Sequence, residues 1–386
     1  MMVSVRSFAK INLGLCIGAL RSDGFHDLRT VYQTIALHDI IRTKVVSGSG
    51  IEIRSEDPRV PKDETNTCYR IAELARVALG VRGRVVIEIV KKLPVQGGLG
   101  GGSANAVSAL LGLERAVKKS LPAAERLRIA AEVGSDLPLF LVGGTCLGVG
   151  RGEEVYPLRD LPGTACVIAT PVVAVSTPRA FADWDSIQLP QGLKPRGSGR
   201  AIGTAEAVPF PNATFSQTTQ IDHRDRDRAG QDFSRVNQFG ALGPAVTASK
   251  LTEVNPSDRI NEFSRRLSAW LSDGSQSKTG KVLSGVSARG GGRAEKPLLD
   301  LVRTGIENDF ERVVFPKYPE LREVKSVLER AGAIYASLSG SGSAVYGLFA
   351  SRMAAEKAAG KLRRNDVPAA VTTTLTRPQY WKKIFD

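Results

Sequence analysis

The sequence has few of the residues on which metal-dependent and disulfide-stabilised proteins rely. Its 386 residues include only four cysteines and three histidines. The cysteines lie far apart and form no C-x-x-C pair, so the sequence predicts neither a metal site nor a disulfide framework. We therefore expect four free, buried thiols, because a free cysteine packs as a small hydrophobic side chain.

Long hydrophobic runs are also missing. No apolar stretch approaches the roughly 18 residues that a membrane helix needs, and the N-terminal segment MMVSVRSFAKINLG has no apolar signal core. The sequence therefore predicts a cytoplasmic protein that makes no membrane contact. Its length is sufficient for two or three domains with cores of their own.

Positive charge is in excess, with a formal net charge of +14. A basic protein attracts phosphate-bearing partners, which include nucleic acids and phosphorylated small molecules. No helical segment carries a basic stripe with interleaved aromatic residues. We therefore expect a phosphorylated small-molecule substrate and no nucleic-acid partner.

The apolar patterns predict an α+β fold in two domains, because strand-like and helix-like segments follow no strict alternation. We place the first domain at residues 1–160 and the second at 161–386. A stretch at about 190–255, rich in Pro, Gly, Ser, Thr and Arg, cannot bury enough apolar surface to offset its ordering entropy. We expect it to be a disordered insertion that catalysis does not need, and a similar stretch at about 272–296 to be a linker.

Three local patterns matter for the site. Residues 3–17 alternate as a strand does, which places Lys10 and Asn12 on the same face. Residues 22–27, SDGFHD, are typical of a turn. Residues 165–175 form a strongly apolar run, which predicts a strand at the start of the second domain.

The strongest motif is a glycine-rich loop at residues 94–104, PVQGGLGGGSA, between a predicted strand and a helix expected to start near Ser103. Glycines permit backbone angles that other residues avoid and let main-chain N–H groups approach a ligand closely. The following helix adds free N–H donors and the positive end of its dipole. The loop is therefore predicted to cradle phosphate.

Two common phosphate loops do not fit these residues. A Walker A loop requires a lysine after the glycines, and none is present. The dinucleotide pattern G-x-G-x-x-G/A, started at Gly98, has Ser103 at its sixth position, and its acidic partner would be Glu125 inside a predicted helix. The pattern P-x-x-x-G-L-G-G-G-S-A instead resembles the phosphate loop of the GHMP kinases, which include mevalonate, homoserine and galactose kinases.

Further stretches resemble one branch of that family, whose acceptor alcohol carries a cytidine diphosphate group. They are AKINLGL at 9–15, RSDGFHDL at 21–28, GSDLPLF at 134–140, NDFE at 308–311 and LSGSGSAVY at 338–346. The resemblance implies a GHMP kinase fold with the active-site cleft between the domains. It also implies transfer of a phosphate from ATP to a hydroxyl of this small-molecule substrate, with Mg²⁺ present.

The resemblance implies that Asp136 takes the proton of the acceptor hydroxyl and that Lys10 assists it by charge. From the residues alone, an N-cap before Leu137 and Pro138 is the favoured interpretation of Asp136, and a solvated surface lysine that of Lys10. Ser103 is the best magnesium ligand by analogy with other phosphate loops, but we assign no metal-binding residue.

The remaining implied site residues fall into two groups. For the nucleotide they are Asn66, Pro94, Val95, Gln96, Gly97, Gly98, Leu99, Gly100, Gly101, Gly102, Ser103 and Ala104. For the acceptor substrate they are Asn12, Phe25, His26, Thr177 and Phe181. Phe25 stands where the family usually has Tyr, which keeps the stacking surface for a base and loses a hydroxyl.

A rival interpretation comes from another class of enzyme. Ser7 to Lys10 spell S-x-x-K, Ser103 opens an S-x-N, and Lys278 begins K-T-G, an order that mimics the penicillin-recognising serine hydrolases. The context disagrees, because S-x-x-K requires a helical turn while residues 3–17 alternate as a strand. The K-T-G lies in the predicted linker, where a strand is required.

Overall fold

A computed structural model of the chain describes residues 1–95, 97–188, 256–273 and 306–385. The predicted insertion at about 190–255 lies wholly outside these residues, as does most of the predicted linker at about 272–296. The domain boundary near residue 160 falls between the two sheets described below and stays a prediction.

The first sheet is built around two long antiparallel strands that pair along most of their length. Its spatial order is β3-β4-β2-β5-β6, and β1 also pairs with β2. The strands are β1 Val3–Leu20, β2 His26–Val46, β3 Ile51–Arg54, β4 Arg84–Val90, β5 Thr145–Val149 and β6 Glu154–Pro157. Irregular pairing of β1 between Phe8 and Lys10, and between Asn12 and Gly14, bends the strand beside the site.

Four helices of this half follow from the apolar spacing of their sequences. They are α1 Thr67–Ala78, α2 Gly101–Val117, α3 Ala123–Val133 and α4 Leu137–Val142. Helix α2 is buried along most of its length, with Ala106, Leu110 and Leu113 inaccessible to solvent in the core. A helix held so firmly fixes the position of the loop that precedes it.

The second sheet is antiparallel throughout and has the order β10-β7-β9-β8. Its strands are β7 Ala165–Ala169, β8 Tyr335–Leu338, β9 Val345–Phe349 and β10 Ala369–Thr373. This sheet is accompanied by α5 Thr177–Gln188, α7 Glu311–Lys317, α8 Pro319–Arg330 and α9 Arg352–Arg364. Helix α6 Pro256–Asp273 packs against β1 instead, and α10 Arg377–Lys383 contributes Tyr380 to the core of the first sheet. The predicted α+β class is confirmed.

The two sheets are joined at β1. Leu15 receives a main-chain hydrogen bond at its carbonyl from Asp309 and donates one to Glu307. The buried hydroxyl of Tyr346 on β9 donates to the Asn12 carbonyl at 2.8 Å. Strand β1 therefore belongs to the first sheet and also contacts the second. Lys10 and Asn12, which lie on β1, are placed where the two sheets meet.

Two predicted boundaries are corrected by the structure. The strand predicted over 165–175 ends at Ala169, because Pro171 has no N–H to donate and Val172 is 94% exposed. The turn predicted over 22–27 gives way to β2 at His26, after Asp23 accepts the N–H of Phe25. His26 consequently starts a strand.

The prediction of free thiols is confirmed, since all four cysteines are unpaired and buried. Burial raises the pKa of Cys68 to about 12, so this thiol stays protonated. Within the described ranges, no helix is both long and apolar enough to cross a membrane.

Candidate active site

The glycine-rich loop joins β4 to α2 and takes backbone angles that require glycine. Gly98 and Gly100 have φ of +72° and +68°. A Cβ added at Gly98 would lie 2.1 Å from the carbonyl oxygen of Ser339. This distance is too short for any side chain at position 98. The loop is therefore restricted to glycine by its own conformation and by its close approach to a neighbouring turn.

Helix α2 begins at Gly101, two residues before the predicted start at Ser103. Its N-cap residue is Gly100, which has no side chain to accept the first N–H groups, while the Thr67 hydroxyl donates to the Gly102 carbonyl at 3.0 Å. The first N–H groups and the positive end of a 17-residue helix therefore point into the loop without a capping side chain. This arrangement suits an anion such as a nucleotide phosphate.

The turn at residues 339–343 holds the loop from the other side. The Ser339 hydroxyl donates to the Gly98 carbonyl at 3.0 Å, and the Ala344 N–H donates to the Gly97 carbonyl at 3.1 Å. The turn is itself fixed by Asn308, whose amide donates to main-chain carbonyls on both sides of residue 339 at 2.8 Å. Two motifs quoted from the C-terminal part of the sequence thus support the phosphate loop.

A cavity of about 490 Å³ opens along the outer side of the loop. It is lined by most of the residues predicted to bind nucleotide, namely Asn66, Pro94, Val95, Gly97, Gly98, Leu99, Gly100, Gly101, Gly102 and Ser103. Ala104 is not among them, because it is buried in the core beneath α2. Gln96 lies outside the described residues.

Asn66 has a structural task in addition to its place at this cavity. Its side-chain oxygen accepts the N–H of Cys68 at 2.9 Å and caps α1, while its amide donates to the Pro61 carbonyl at 2.6 Å. Both ends of the side chain are therefore engaged within the protein. Its part in nucleotide binding stays a prediction.

A buried carboxylate that the sequence reasoning missed anchors the start of the loop. Asp39 is fully buried and accepts Lys91 Nζ at 2.6 Å, the N–H groups of Lys92 and Leu93 at 2.6 and 2.8 Å, and Asn105 Nδ2 at 3.0 Å. These contacts tie the end of β4 and the first turn of α2 to β2. The available signal was an aspartate followed directly by two apolar residues, Ile40 and Ile41, within a strand.

Lys10 and Asp136 meet at the inner side of the loop. The ammonium of Lys10 lies 3.3 Å from Asp136 Oδ2 and donates to Asn12 Oδ1 at 2.7 Å. The Lys10 side chain is 4% exposed and that of Asp136 34%, so the pair is anchored on the lysine side and open on the carboxylate side. The predicted common face of Lys10 and Asn12 is confirmed.

The capping alternative for Asp136 does not hold. Asp136 is the N-cap residue of α4, yet its side chain makes no capping hydrogen bond and its backbone angles are helical, with φ −83° and ψ −7°. The carboxylate instead accepts the hydroxyl of Tyr32 at 2.9 Å through Oδ1. Sequence reasoning did not identify Tyr32, because 104 positions separate the two residues.

A second cavity, of about 690 Å³, extends from this pair towards the turn before β2 and the start of α5. All the residues predicted to bind the acceptor substrate line it, namely Asn12, Phe25, His26, Thr177 and Phe181. Thr177 is joined to the phosphate-loop region through a 2.7 Å hydrogen bond with the Ser341 hydroxyl. The walls of this cavity are mainly side chains.

The aromatic residues of this cavity form a stack. The imidazole of His26 lies on the ring of Phe181, with centroids 4.9 Å apart and planes at 11°, and Phe181 meets Phe310 edge to face. Asp185 holds His26 through a 2.7 Å contact between Oδ1 and Nε2. Sequence reasoning missed Asp185, which belongs to α5 and has no motif around it.

Phe25 lies at the mouth of the same cavity. Its ring is 39% exposed, and the guanidinium of Arg151 lies 5.0 Å from the ring centroid. Arg151 is itself fixed by a 3.0 Å hydrogen bond from Nε to Glu153. Phe25 therefore presents an aromatic ring close to solvent at the edge of this cavity.

The two cavities share part of their lining. Gly98, Gly100 and Ser103 contribute to both. A ligand in the outer cavity and a ligand in the inner cavity therefore meet at the phosphate loop, beside Lys10 and Asp136.

The serine-hydrolase alternative finds no support in this arrangement. The Ser7 hydroxyl donates to Asn105 Oδ1 at 2.6 Å in a buried position, while Lys10 is paired with Asn12 and Asp136. No nucleophile and base are thus brought together from the S-x-x-K residues. Lys278 lies outside the described residues.

Comparison with known proteins decides the family. Models of the GHMP kinases N terminal domain and of the GHMP kinases C terminal match residues 66–144 and 294–367. A protein of Solibacter usitatus named 4-diphosphocytidyl-2-C-methyl-D-erythritol kinase is 31% identical over 350 residues, which cover 91% of this chain and 82% of that protein. A protein of the same name from Acaryochloris marina is 30% identical over 361 residues, which cover 93% of this chain and 91% of that protein.

The chain belongs to the 4-diphosphocytidyl-2-C-methyl-D-erythritol kinase family of GHMP kinases. It is therefore a small-molecule kinase, and the family uses ATP as co-substrate.

Solved structures agree with the kinase fold. A crystal structure of 4-(cytidine 5'-diphospho)-2C-methyl-D-erythritol kinase superposes with a TM-score of 0.60 at 24% identity, covering 96% of this kinase and 98% of that chain. The homoserine kinase of Cytophaga hutchinsonii gives a TM-score of 0.58 at 18% identity, with coverages of 97% and 95%. At these identities the likeness shows the fold alone.

Proposed function

We propose that the protein transfers the γ-phosphate of ATP to the 2-hydroxyl of 4-diphosphocytidyl-2-C-methyl-D-erythritol, a step in non-mevalonate isoprenoid precursor biosynthesis. The single observation that carries the chemistry is the Lys10–Asp136 pair at 3.3 Å, placed where the two cavities meet at the phosphate loop. The names of the relatives support the choice of substrate.

The outer cavity would hold the nucleotide. Main-chain N–H groups of the loop and of the first turn of α2 would receive the phosphates, since no side chain caps that helix. Gly98 and Gly100 keep the loop free of side chains at the closest approach. The γ-phosphate would then point towards the inner cavity, where Lys10 lies.

Phosphoryl transfer asks the protein mainly for positioning and charge stabilisation. Lys10 would neutralise charge on the transferred group and on the acceptor oxygen. Asp136 would orient the acceptor hydroxyl and accept its proton as the new P–O bond forms and the bond to ADP breaks. The partly exposed carboxylate beside a buried ammonium suits this division of roles.

The inner cavity would hold the cytidine end of the acceptor substrate. Phe25 and the stacked pair of His26 and Phe181 supply flat faces for a base, and the imidazole is fixed by Asp185. A substrate that carries a base would use such walls by stacking. The cytidine diphosphate group is therefore the part of the substrate that this cavity supports best.

Mg²⁺ belongs to the same proposal. Within the part of the chain that the structure describes, no cluster of three or more His, Cys, Asp and Glu residues is arranged to hold a metal. The ion would arrive with ATP and be held chiefly by phosphate oxygens, with the hydroxyl of Ser103, which lines both cavities, as a protein ligand. When bound, it would neutralise charge on the β- and γ-phosphates.

A cytoplasmic location stays a prediction that dependence on ATP supports.

The test is an ADP-release assay with Mg-ATP in which the cytidine-linked alcohol is offered beside homoserine, mevalonate and galactose. We expect turnover with the cytidine-linked alcohol and background rates with the other three. Preference for any of those three would replace the proposed substrate by another GHMP-kinase alcohol. Turnover with none would overturn the proposed function.

A further inference from the structure

Tyr32 contacts both members of the proposed catalytic pair. Its hydroxyl donates to Asp136 Oδ1 at 2.9 Å, and the Lys10 ammonium lies 5.7 Å from the centroid of its ring. Since Asp136 Oδ2 is the oxygen beside Lys10, the two carboxylate oxygens have different partners. The carboxylate is therefore oriented as well as charged.

The fold makes a slot for this ring. A Cβ added at Gly148 on β5 would lie 2.5 Å from Tyr32 Cε2, and one added at Gly152 would lie 2.6 Å from the tyrosine hydroxyl. The residue is 2% exposed, so its position is set by packing on several sides. A ring held in this way delivers its hydroxyl to one place.

The Tyr32 hydroxyl can act only as a donor towards the carboxylate. Burial, with the negative charge of Asp136 as the second cause, raises the pKa of Tyr32 well above its ordinary value. The phenol is therefore protonated at neutral pH, where its pKa lies well above the pH of the solution. A neutral donor and a carboxylate form a charge-assisted hydrogen bond, which is stronger than one between neutral groups.

We propose that Tyr32 is a positioning residue for catalysis: it holds Asp136 Oδ1 so that Oδ2 faces Lys10 and the acceptor hydroxyl. The inference deepens the proposed function and rests on the role given there to Asp136. Without the hydroxyl, the carboxylate at the start of α4 would be free to rotate towards the N–H groups of that helix, where an aspartate ordinarily caps.

The test compares Tyr32→Phe with Tyr380→Phe. Both changes remove one buried phenol hydroxyl, and Tyr380 donates to the Phe140 carbonyl at 2.7 Å, on the same helix α4 but away from the carboxylate. In Tyr32→Phe we expect kcat to fall about tenfold with KM for both substrates unchanged, because the interaction serves the transition state more than binding. In Tyr380→Phe we expect a lower Tm and an unchanged kcat.

Crystal structures of wild-type and Tyr32→Phe protein provide the second readout. We expect the Asp136 carboxylate to leave its place beside Lys10 in the variant. An unmoved carboxylate, or an unchanged kcat, would overturn the proposal, as would an equal loss of kcat in Tyr380→Phe. If the wild-type protein prefers another alcohol, the proposed substrate is wrong, and the kinetics of the two variants are then compared with that alcohol. The crystal structures test the position of the Asp136 carboxylate without any substrate, so the two proposals can fail separately.

Discussion

The two ends of the active site are built by different means. The nucleotide end is made of main chain, with glycines of positive φ, an uncapped helix start and a turn that is hydrogen-bonded to the loop. The acceptor end is made of side chains on the turn before β2 and on α5, joined by ring stacking and single hydrogen bonds. Under the proposed function, the first end would recognise a charge common to all nucleotides, while the second would recognise a particular molecule.

The largest effect is expected at the point where the two ends meet. Asp136→Asn and Lys10→Ala should each lower kcat by about 100-fold or more, the usual scale for loss of a general base or its partner. Steady-state kinetics with both substrates measures this, and thermal unfolding checks that the fold is kept. Near-normal turnover in Asp136→Asn would refute the assignment of the base.

The next effect separates the nucleotide end from the rest. Gly98→Ala should raise KM for ATP by at least about tenfold, because a left-handed angle is costly for alanine and the new methyl group meets the Ser339 carbonyl. The control is Gly80→Ala, which has φ of +61° and nothing within 4 Å of the added Cβ. It should lower Tm and leave KM for ATP unchanged. Equal effects of both variants on KM would show that the loop contact is unimportant.

A smaller effect should be confined to the acceptor end. Phe181→Ala should raise KM for the cytidine-linked alcohol by about tenfold, as stacking on a base is worth roughly 1–3 kcal/mol, while KM for ATP stays constant. The two KM values, measured on the same preparation, give the result. A rise in KM for ATP of the same size would break the division between the two ends.

The smallest effect concerns the residue that departs from the family pattern. Phe25→Tyr should change KM for the cytidine-linked alcohol by less than about twofold, because the ring is 39% exposed and a new hydroxyl stays in water. KM for the alcohol, determined separately for the wild-type and Phe25→Tyr proteins under identical conditions, measures the difference. A tenfold gain in affinity would show that the missing hydroxyl matters.

The nucleotide end could be predicted from the residues themselves, whereas the acceptor end was predicted only through the family resemblance, and the reason is physical. A loop that binds through its main chain must spell out its glycines in consecutive positions, so residues 97–102 are visible in the sequence itself. Lys10 and Asp136 were identified through the stretches around them that resemble the family. Their 3.3 Å contact required the fold.

The residues that were missed act through distant partners. Tyr32 meets Asp136 across 104 positions, and Asp39 meets Asn105 across 66. Neither stands in a local motif, and alternation along a strand places each of them only on a face. Asp185 was missed for the same reason, because its partner His26 lies 159 positions away. Such contacts follow from strand register and helix placement, which the amino-acid pattern alone does not determine.

The most direct measurement is a crystal structure of the protein with a non-hydrolysable ATP analogue and the cytidine-linked alcohol. We predict that the terminal phosphate contacts residues 98–103 and lies at hydrogen-bond distance, about 3 Å, from Lys10 Nζ. We also predict that the acceptor hydroxyl donates a hydrogen bond to the Asp136 carboxylate. A nucleotide bound elsewhere, or a terminal phosphate far from both Lys10 and Asp136, would contradict these predictions.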